Sequence, residues 1–322
     1  MFDSFLVVGS INIDYNVRVP HLPNPGETLT GKSFSRAFGG KGANQAVSLA
    51  RLLRESKEKV FFAGKVGTDD DGKNARENLK INGVSTQFIS NSENHTGMAL
   101  IEIDDVANNR IVVVPGANGD CDENWAVATI QNYCKLKPSI KTCFLFQLEI
   151  PIASVEAAIR TAKDSGGTII LDPAPAVPIE KKLWSLIDVV TPNQSEAQLY
   201  TGVFPKTNDS AQKAALKFAH MGTQAVIIKA GAIGSWYFDE KEQWFCPAFT
   251  VKALDTTAAG DVFNAAFAAA RGKDMSASDS LRFANAAAAI SITGEGAQSA
   301  MPGYDTVKEL LQAQPKIVPR QL

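Results

Sequence analysis

The chain has 322 residues, of which 45% are hydrophobic, and it is long enough to bury an extensive core in one large domain or two small ones. A formal net charge of -2 gives no basic excess and argues against nucleic acid as the main partner. The four cysteines and three histidines are scattered without metal-ligand spacing, which argues against a zinc site or a histidine-based triad and is typical of free thiols in a reducing compartment.

The N-terminus lacks a basic segment followed by an apolar core, and therefore predicts no signal peptide. No apolar run is long enough to cross a membrane. These features predict a soluble protein of the cytoplasm, with the nucleus as an open alternative, and no membrane partner.

The first predicted element is a buried strand at residues 5–11, a short apolar run that contains Gly9 and Ser10. Asn12 and Asp14 follow it. Polar side chains just past the carboxyl end of a strand lie where ligands bind in open α/β sheets, although a capped turn explains the same residues equally well.

Residues 15–38 contain apolar positions interrupted by prolines and glycines, and predict short edge strands in a small sheet that projects from the main body. Residues 26–33 match the phosphate-loop pattern G-x-x-x-x-G-K-[ST]. That pattern has meaning only between a buried strand and a helix. A proline-rich loop precedes it here and too few residues follow it for a helix, so we reject a phosphate loop at this place.

A second glycine cluster, at residues 39–45, opens a predicted helix with apolar positions up to residue 53. Glycine allows a ligand to approach the backbone closely. Lys41 and Asn44 lie one helical turn apart and could face the same ligand. A loop with a solvated lysine is the simpler alternative.

The middle of the chain predicts a strand at residues 59–64, a helix at 69–82 and a hairpin at 97–114 with its turn at 104–109. A helix at 122–135 and a buried strand at 142–148 follow. The hairpin could join the projecting sheet. Glu149 ends the last of these strands, where its carboxylate suits a ligand or a metal, or caps a helix that begins near Pro151.

Strands and helices then alternate. Helices are predicted at residues 152–165, 211–221, 262–270 and 278–293, strands at 168–171, 186–190 and 225–229, and a hairpin at 236–249. This alternation predicts an α/β fold with a parallel central sheet and helices on both faces. No repeat or linker divides the chain, so we predict a single domain over 1–322. The tail at 314–322 is expected to fray.

Residues 255–261 form a turn of small and polar residues that leads into an apolar helix. Amide groups at the start of a helix can hold an anion. Asp261 in the first turn is a poor phosphate ligand, but it suits a general base that deprotonates a hydroxyl next to a phosphoryl group. A tight turn with a favourable aspartate at the helix start is the alternative.

Four stretches, at residues 12–14, 39–44, 193–196 and 255–261, occur together in an order and spacing that resembles the ribokinase branch of the PfkB carbohydrate kinase family. The resemblance extends from about residue 5 to 304, and residues 147–149 and 172–175 also match it. It implies a large α/β domain with a small β-sheet lid, formed here by strands from about 14–38 and 96–115. That expectation agrees with the projecting strands inferred above.

The resemblance implies ATP-dependent phosphorylation of D-ribose on its 5-hydroxyl group, with Asp261 as the base and the amides of Ala258, Ala259 and Gly260 as the anion hole. It assigns sugar contacts, besides Asp261, to Asn12, Asp14, Gly39, Gly40, Lys41, Asn44 and Glu149. A pentose presents several hydroxyl groups, and this set offers both donors and acceptors.

The resemblance also implies three further groups of ligands. The nucleotide would contact Asn193, Lys229, Gly231, Gly234, Gly260 and Asn285. Mg²⁺ would be held by Glu196 through water. K⁺ would be held by Asp255, Thr257, Ser291, Gly294, Gly296 and Ala300. Two positions depart from the common pattern, because Lys229 replaces a frequent threonine and Ala300 a frequent serine.

Two other functions remain open from the sequence. The same phosphate transfer could act on another small sugar or a nucleoside, since members of this family share the catalytic end and differ in the pocket. A sugar-binding regulator without catalysis is the second alternative. A homodimer formed through the lid is a possible assembly.

Overall fold

The computed structural model describes residues 2–54, 59–106, 108–137 and 141–322. Residue 1 of the predicted domain, and residue 107 in the predicted turn at 104–109, lie outside these ranges. In the described part of the chain, the strands form a ten-stranded sheet and a separate four-stranded sheet.

The strands, numbered in chain order, are β1 (Ser4–Val8), β2 (Asn12–Arg18), β3 (Ser33–Gly39), β4 (Lys59–Gly67), β5 (Ser85–Ser92), β6 (Gly97–Ile103), β7 (Asn109–Val114), β8 (Thr142–Phe146), β9 (Thr168–Leu171), β10 (Val189–Val190), β11 (Ala225–Lys229), β12 (Gly234–Phe238), β13 (Gln243–Pro247) and β14 (Arg320–Gln321).

The α-helices are α1 (Lys41–Leu52), α2 (Asp70–Ile81), α3 (Glu123–Leu136), α4 (Ile152–Asp164), α5 (Gln194–Thr201), α6 (Asn208–Met221), α7 (Ala259–Gly272), α8 (Ala277–Ser291) and α9 (Tyr304–Ala313). Short 3₁₀ helices lie at Gly116–Asp120, Lys181–Leu186 and Gly231–Ile233.

The larger sheet has the order β14-β13-β12-β11-β10-β9-β8-β1-β4-β5. The strands from β5 to β11 in this order pair in parallel, and β12 to β14 continue the sheet as antiparallel strands. Alternate residues of β1 belong to different core clusters, Phe5 and Val7 to one, Leu6 and Val8 to the other. Both faces are therefore covered by helices, and the predicted fold class is confirmed.

The two faces carry different helices. Buried residues of α1, α2, α7, α8 and α9 form the core with one face, and those of α3, α4, α5 and α6 with the other. Six of the 14 residues of α7 are alanines, and the helix is buried along nearly its whole length. Small side chains let α7 lie close to its neighbours, and this places its N-terminus at the carboxyl end of the parallel strands.

The small sheet has the order β3-β2-β6-β7. The predicted hairpin of β6 and β7 joins β2 and β3 through a parallel β2–β6 pairing, as expected. Residues 26–33 lead into strand β3 rather than a helix, which confirms that they are not a phosphate loop.

Some sequence-based expectations were wrong. The predicted strand at 5–11 ends at Val8, and β2 begins anew at Asn12 in the other sheet; β10 is shorter than the predicted 186–190 strand. The sequence reasoning missed β5, α5 and α9. The tail does not simply fray, because Arg320 pairs with Phe245 at the sheet edge. None of the helices in the described ranges has the length and hydropathy needed to cross a membrane.

Candidate active site

Asp261 lies in the first turn of α7 and is only 4% exposed. Ala258 is the N-cap residue of α7; its backbone is left-handed, with φ 59°, and no side chain caps the helix. The amide of Ala259 closes this turn through a long bond to the carbonyl of Thr256 (3.3 Å). The turn and the start of α7 line a cleft, so the positive end of the helix faces the space beside the carboxylate.

Two amide side chains of α1 hold the Asp261 carboxylate. Asn44 Nδ2 donates to Oδ2 (3.1 Å) and Gln45 Nε2 donates to Oδ1 (3.2 Å). Burial raises the pKa of Asp261 to about 6, while Lys41 and the Asn44 bond oppose the shift. A carboxyl group with a pKa near neutrality can accept a proton from a hydroxyl and release it again, as a general base must.

The start of α1 is packed against the end of β1 so tightly that glycine is required. Gly40 has φ 86°, and a Cβ atom there would lie 2.7 Å from Asn12 N. A Cβ at Gly42 would lie 2.7 Å from Ser10 N. Side chains at these positions would displace the backbone that carries Asn12 and Lys41.

Glu149 joins three elements at this point. Its Oε2 accepts from Ser10 Oγ (2.6 Å) and from Lys41 N (2.8 Å). The sequence suggested that Glu149 caps a helix near Pro151; instead, it accepts from the first amide of α1. One carboxylate oxygen fixes the helix start, and the other remains for a ligand.

The predicted sugar residues gather around Lys41. Burial raises the pKa of Asp14 to about 7, and Glu149 and Asp261 add to the shift. The nearby Asp261 raises the pKa of Lys41 against the effect of burial. A Cβ at Gly39 would lie 2.3 Å from the Asp14 carboxylate, so this glycine leaves the space that Asp14 occupies. Lys41 therefore lies among several carboxyl groups in this pocket.

Sequence reasoning missed the residues that orient this set. Asn118 Nδ2 donates to Asn12 Oδ1 (2.8 Å) and also bonds the backbone of Ile11. Gln45 Nε2 donates to Asp172 as well as to Asp261 (3.1 Å and 3.2 Å). Asp172 lies in one of the stretches that carried the family resemblance, which was the available signal. Asn118 and Gln45 gave none, because buried amides look like surface polar residues in a sequence.

Lys229 forms a buried ion pair with Asp172 (2.9 Å). A Cβ placed on Gly260 would lie 3.5 Å from Lys229 Nζ. The ammonium group is thus next to the amides at the start of α7.

The predicted nucleotide residues line one cleft of about 740 Å³, a volume that suits a nucleotide. Its apolar wall includes Phe249, Val251 and Ile292. Asn285 lines the cleft, but its side chain bonds Ser235 Oγ (3.0 Å) and the Cys246 carbonyl (3.1 Å). Its amide group therefore also fastens α8 to the β12–β13 hairpin.

Asn193 and Glu196 form a reciprocal capping box at the start of α5. Glu196 Oε2 accepts from Asn193 N (2.7 Å), and burial raises the pKa of Glu196 while Lys229 opposes this. No group of three or more His, Cys, Asp or Glu side chains in the described ranges could hold a metal ion. This donor set fits Mg²⁺ held mainly by phosphates and water, with Glu196 as an outer partner.

Two of the predicted K⁺ residues, Thr257 and Gly296, contact Asp255. Asp255 Oδ1 accepts from Thr257 Oγ1 (2.6 Å), and Oδ2 accepts from Gly296 N (2.9 Å). A Cβ at Gly294 would lie 3.0 Å from Ala300 Cβ. Burial raises the pKa of Asp255, but the hydrogen bonds from Thr257 and Gly296 lower it more, so the pKa lies below its usual value. An ionised carboxylate oxygen on this loop is a ligand that fits a monovalent cation.

Residues 3–303 match the family described as pfkB family carbohydrate kinase. The chain belongs to this family. It is similar to the ribokinase of Haemophilus influenzae, with 41% identity over 313 residues that cover 97% of this chain and 99% of the relative.

Two solved structures are similar along nearly the whole chain. A ribokinase from Thermotoga maritima has a TM-score of 0.85 and 35% identity, covering 97% of this chain and 100% of that one. The ribokinase of Arabidopsis thaliana, in a complex with ribose and ATP, has a TM-score of 0.86 and 32% identity, covering 97% and 99%. The predicted family and ribokinase-like fold are confirmed.

Proposed function

We propose that this chain catalyses ATP-dependent phosphorylation of D-ribose to D-ribose 5-phosphate. The observation that carries the proposal is Asp261, a buried carboxylate between a pocket of sugar-binding side chains and the open start of α7. The relatives named above are ribokinases, and one of them binds ribose and ATP in its structure.

In this mechanism Asp261 takes the proton from the 5-hydroxyl group as its oxygen attacks the γ-phosphorus of ATP. The amides of residues 258–260 stabilise the negative charge that develops on the transferred group, and Lys229 lies close enough to assist. Mg²⁺ bound with the nucleotide would neutralise phosphate charge. The proton on Asp261 then passes to solvent as the product leaves.

The proposed sugar ligands are Asn12, Asp14, Gly39, Gly40, Lys41, Asn44 and Glu149. Asn44 already donates one N–H to Asp261, so its second N–H remains for a sugar oxygen. The small sheet that carries Asn12 and Asp14 is proposed to act as a lid. Excluding water in this way would keep ATP from simple hydrolysis.

The reaction is tested by measuring ADP release with ATP, Mg²⁺ and K⁺ over a panel of ribose, 2-deoxyribose, fructose, adenosine and pseudouridine. We expect strong turnover with ribose alone. Turnover mainly with another acceptor would overturn the substrate and keep the phosphate transfer. Binding of ribose by calorimetry without turnover of any acceptor would instead support a non-catalytic regulator.

The loop around Asp255 is proposed to hold K⁺, with Thr257, Ser291, Gly294, Gly296 and Ala300 as the other contributors. Ala300 brings no hydroxyl group, so water would complete the shell at that side. Because residues 255–257 lead directly into the start of α7, the cation would order the amides of the anion hole.

Replacing K⁺ with Na⁺ at constant ionic strength is therefore expected to lower kcat, because the smaller ion fits the same oxygen shell poorly. Initial rates in the two chloride salts measure this, and Asp255→Ala should make the two rates equal. Identical rates for the unmodified protein in both salts would contradict the cation site.

We further propose that residues 1–322 act as one cytoplasmic kinase domain that dimerises through the small sheet. Phe34 is 60% exposed, and Ile111, Val112 and Val113 of the edge strand β7 are each 53% exposed. Apolar side chains on an exposed edge favour pairing with a second copy. Light scattering at micromolar concentration distinguishes the expected dimer from a monomer, which would contradict the assembly.

A further inference from the structure

Gln298 lies in the segment between α8 and α9, and its side chain is 6% exposed. Its Nε2 donates to Asn44 Oδ1 (3.0 Å), and its Oε1 accepts from Asn78 Nδ2 (2.7 Å). Asn44 in turn donates to Asp261 Oδ2 (3.1 Å). Two amide groups thus connect α2 to the carboxylate proposed as the base.

The connection continues on the far side of Asn78. Asn82 Nδ2 donates to the Asn78 carbonyl (2.8 Å) and, more weakly, to Asn78 Oδ1 (3.3 Å). Arg51 Nε donates to Asn82 Oδ1 (2.8 Å). The amide chain, as we call it below, is made of Arg51, Asn82, Asn78, Gln298, Asn44 and Asp261.

The two ends of the amide chain fix its direction. A guanidinium group can only donate hydrogen bonds, and an ionised carboxylate can only accept them. Each amide between them must then present its oxygen toward Arg51 and its N–H groups toward Asp261. Reversing one amide would place two acceptors or two donors face to face, which is unfavourable in a buried position.

The backbone of the segment is held independently of these side chains. Arg51 donates to the carbonyls of Gln298 (2.6 Å) and Met301 (3.0 Å), and Gly296 N donates to Asp255 (2.9 Å). The side chain of Gln298 is therefore not needed to keep the segment in place. Its position between two other amides gives it a different role.

We propose that Gln298 is a positioning residue, which turns the amide of Asn44 so that its nitrogen donates to Asp261 and the carboxylate is held for proton transfer. This inference rests on the proposed function. Without Gln298, Asn44 is free to rotate and to present its oxygen to Asp261. That arrangement suits the protonated acid, which is inactive as a base.

Several other charged groups face Asp261 and also influence its pKa. Lys41 opposes the rise in its pKa, whereas Asp172 and Glu149 add to it. Asp14 interacts with Asp261, and Lys229 is paired with Asp172. None of these groups forms a hydrogen bond with Gln298 in the described part of the chain, so replacing Gln298 leaves their charges in place.

The test is Gln298→Met, which keeps the length of the side chain and removes both hydrogen bonds. We expect kcat for ribose to fall roughly tenfold near pH 6, the size of effect that one lost bond to a charged group produces. The acid limb of the pH profile should also move to higher pH. Gln312→Met, at an exposed position of α9, is the matched control and should keep the profile of the unmodified protein.

A kinetic cycle with Asp261→Asn separates positioning from general damage. If Gln298 acts through Asp261, adding Gln298→Met to Asp261→Asn should cause little further loss. The same fold-loss in both backgrounds, or a Gln298→Met protein with an unchanged pH profile, would overturn the inference. If Gln298→Met does not fold, Asn78→Leu is the alternative, because it removes the bond from Asn78 to Gln298. It should move the acid limb of the pH profile in the same direction, by a smaller amount.

The wild-type rate with ribose is measured first and keeps the two proposals apart. No ribose turnover by the unmodified protein would refute the proposed function. Normal turnover by the wild type, together with an unchanged kcat and pH profile for Gln298→Met, would refute only the positioning role.

Discussion

Asp261→Asn is expected to lower kcat for ribose phosphorylation by at least about a hundredfold, the lower end of what general-base catalysis contributes. Asparagine has nearly the same shape and keeps one oxygen to accept from Asn44 or Gln45, but it cannot take the proton from the sugar. Ribose binding, measured by calorimetry, should therefore remain close to that of the unmodified protein. ADP release at saturating ribose and ATP gives kcat.

The pH profile provides a second measurement on the same residue. With a pKa of about 6, Asp261 is protonated below this value, so kcat/KM of the unmodified protein should fall with decreasing pH below about 6. The exposed Asp305 of α9 supplies a control, since Asp305→Asn should leave rate and profile unchanged. Turnover of Asp261→Asn near the wild-type level would show that another group is the base.

Loss of folding would not explain the expected result. The pKa of Asp261 is higher in the folded protein than in an unfolded chain, so protonation favours the folded state and this stability is lost as pH rises through about 6. At pH 7.5 the ionised, buried carboxylate is therefore unfavourable for folding. Asp261→Asn should melt at the same temperature as the unmodified protein or higher.

Lys229→Met is expected to reduce the free energy of unfolding by about 3–5 kcal/mol, the usual effect of removing one partner of a buried ion pair. Asp172 is only 3% exposed and would keep Gln45 as its remaining donor. The single negative charge would be buried without its ion-pair partner, with Lys41 as the remaining cation nearby. Urea denaturation followed by circular dichroism measures the loss.

The partner substitution decides whether the ion pair is the cause. Asp172→Asn combined with Lys229→Met removes the buried charge and should recover most of the lost stability. Lys213→Met on the exposed surface of α6 is the control for loss of a lysine and should have little effect. Equal stability of Lys229→Met and the unmodified protein would mean that water or a rearrangement replaces the ammonium group. The kinase activity of the double variant should stay low, because Lys229 is proposed to assist phosphate transfer.

The sequence was informative where neighbouring residues in the chain act together. The strand–helix alternation predicts the parallel sheet, and the small residues before Asp261 predict an open helix start. The capping box of α5 was treated as a ligand motif, and the helix behind it was missed. Strand β5 was missed because polar residues interrupt its apolar positions, and α9 because it buries little besides Val307.

Contacts between distant parts of the chain could not be predicted in the same way. Asn44 and Asp261 are separated by 217 positions, and Gln298 and Asn44 by 254. Nothing in the local pattern indicates that these amides are buried or which groups they meet. Their arrangement depends on how α1, α2 and α7 pack on one face of the sheet, which only the three-dimensional structure gives.

The chain crosses from the large sheet into the small one between β1 and β2, and Asn12 and Asp14 lie on the strand that has crossed. Three of the groups proposed to bind the phosphate acceptor, Asn12, Asp14 and Gly39, therefore stand on a different sheet from the one that carries Asp261 and the start of α7. Substitutions in β2, β3 and their loops could remodel acceptor choice while phosphoryl transfer is left intact. Such a division lets a lineage of enzymes diversify by duplication, with one half of the site free to drift and the other kept under constant selection.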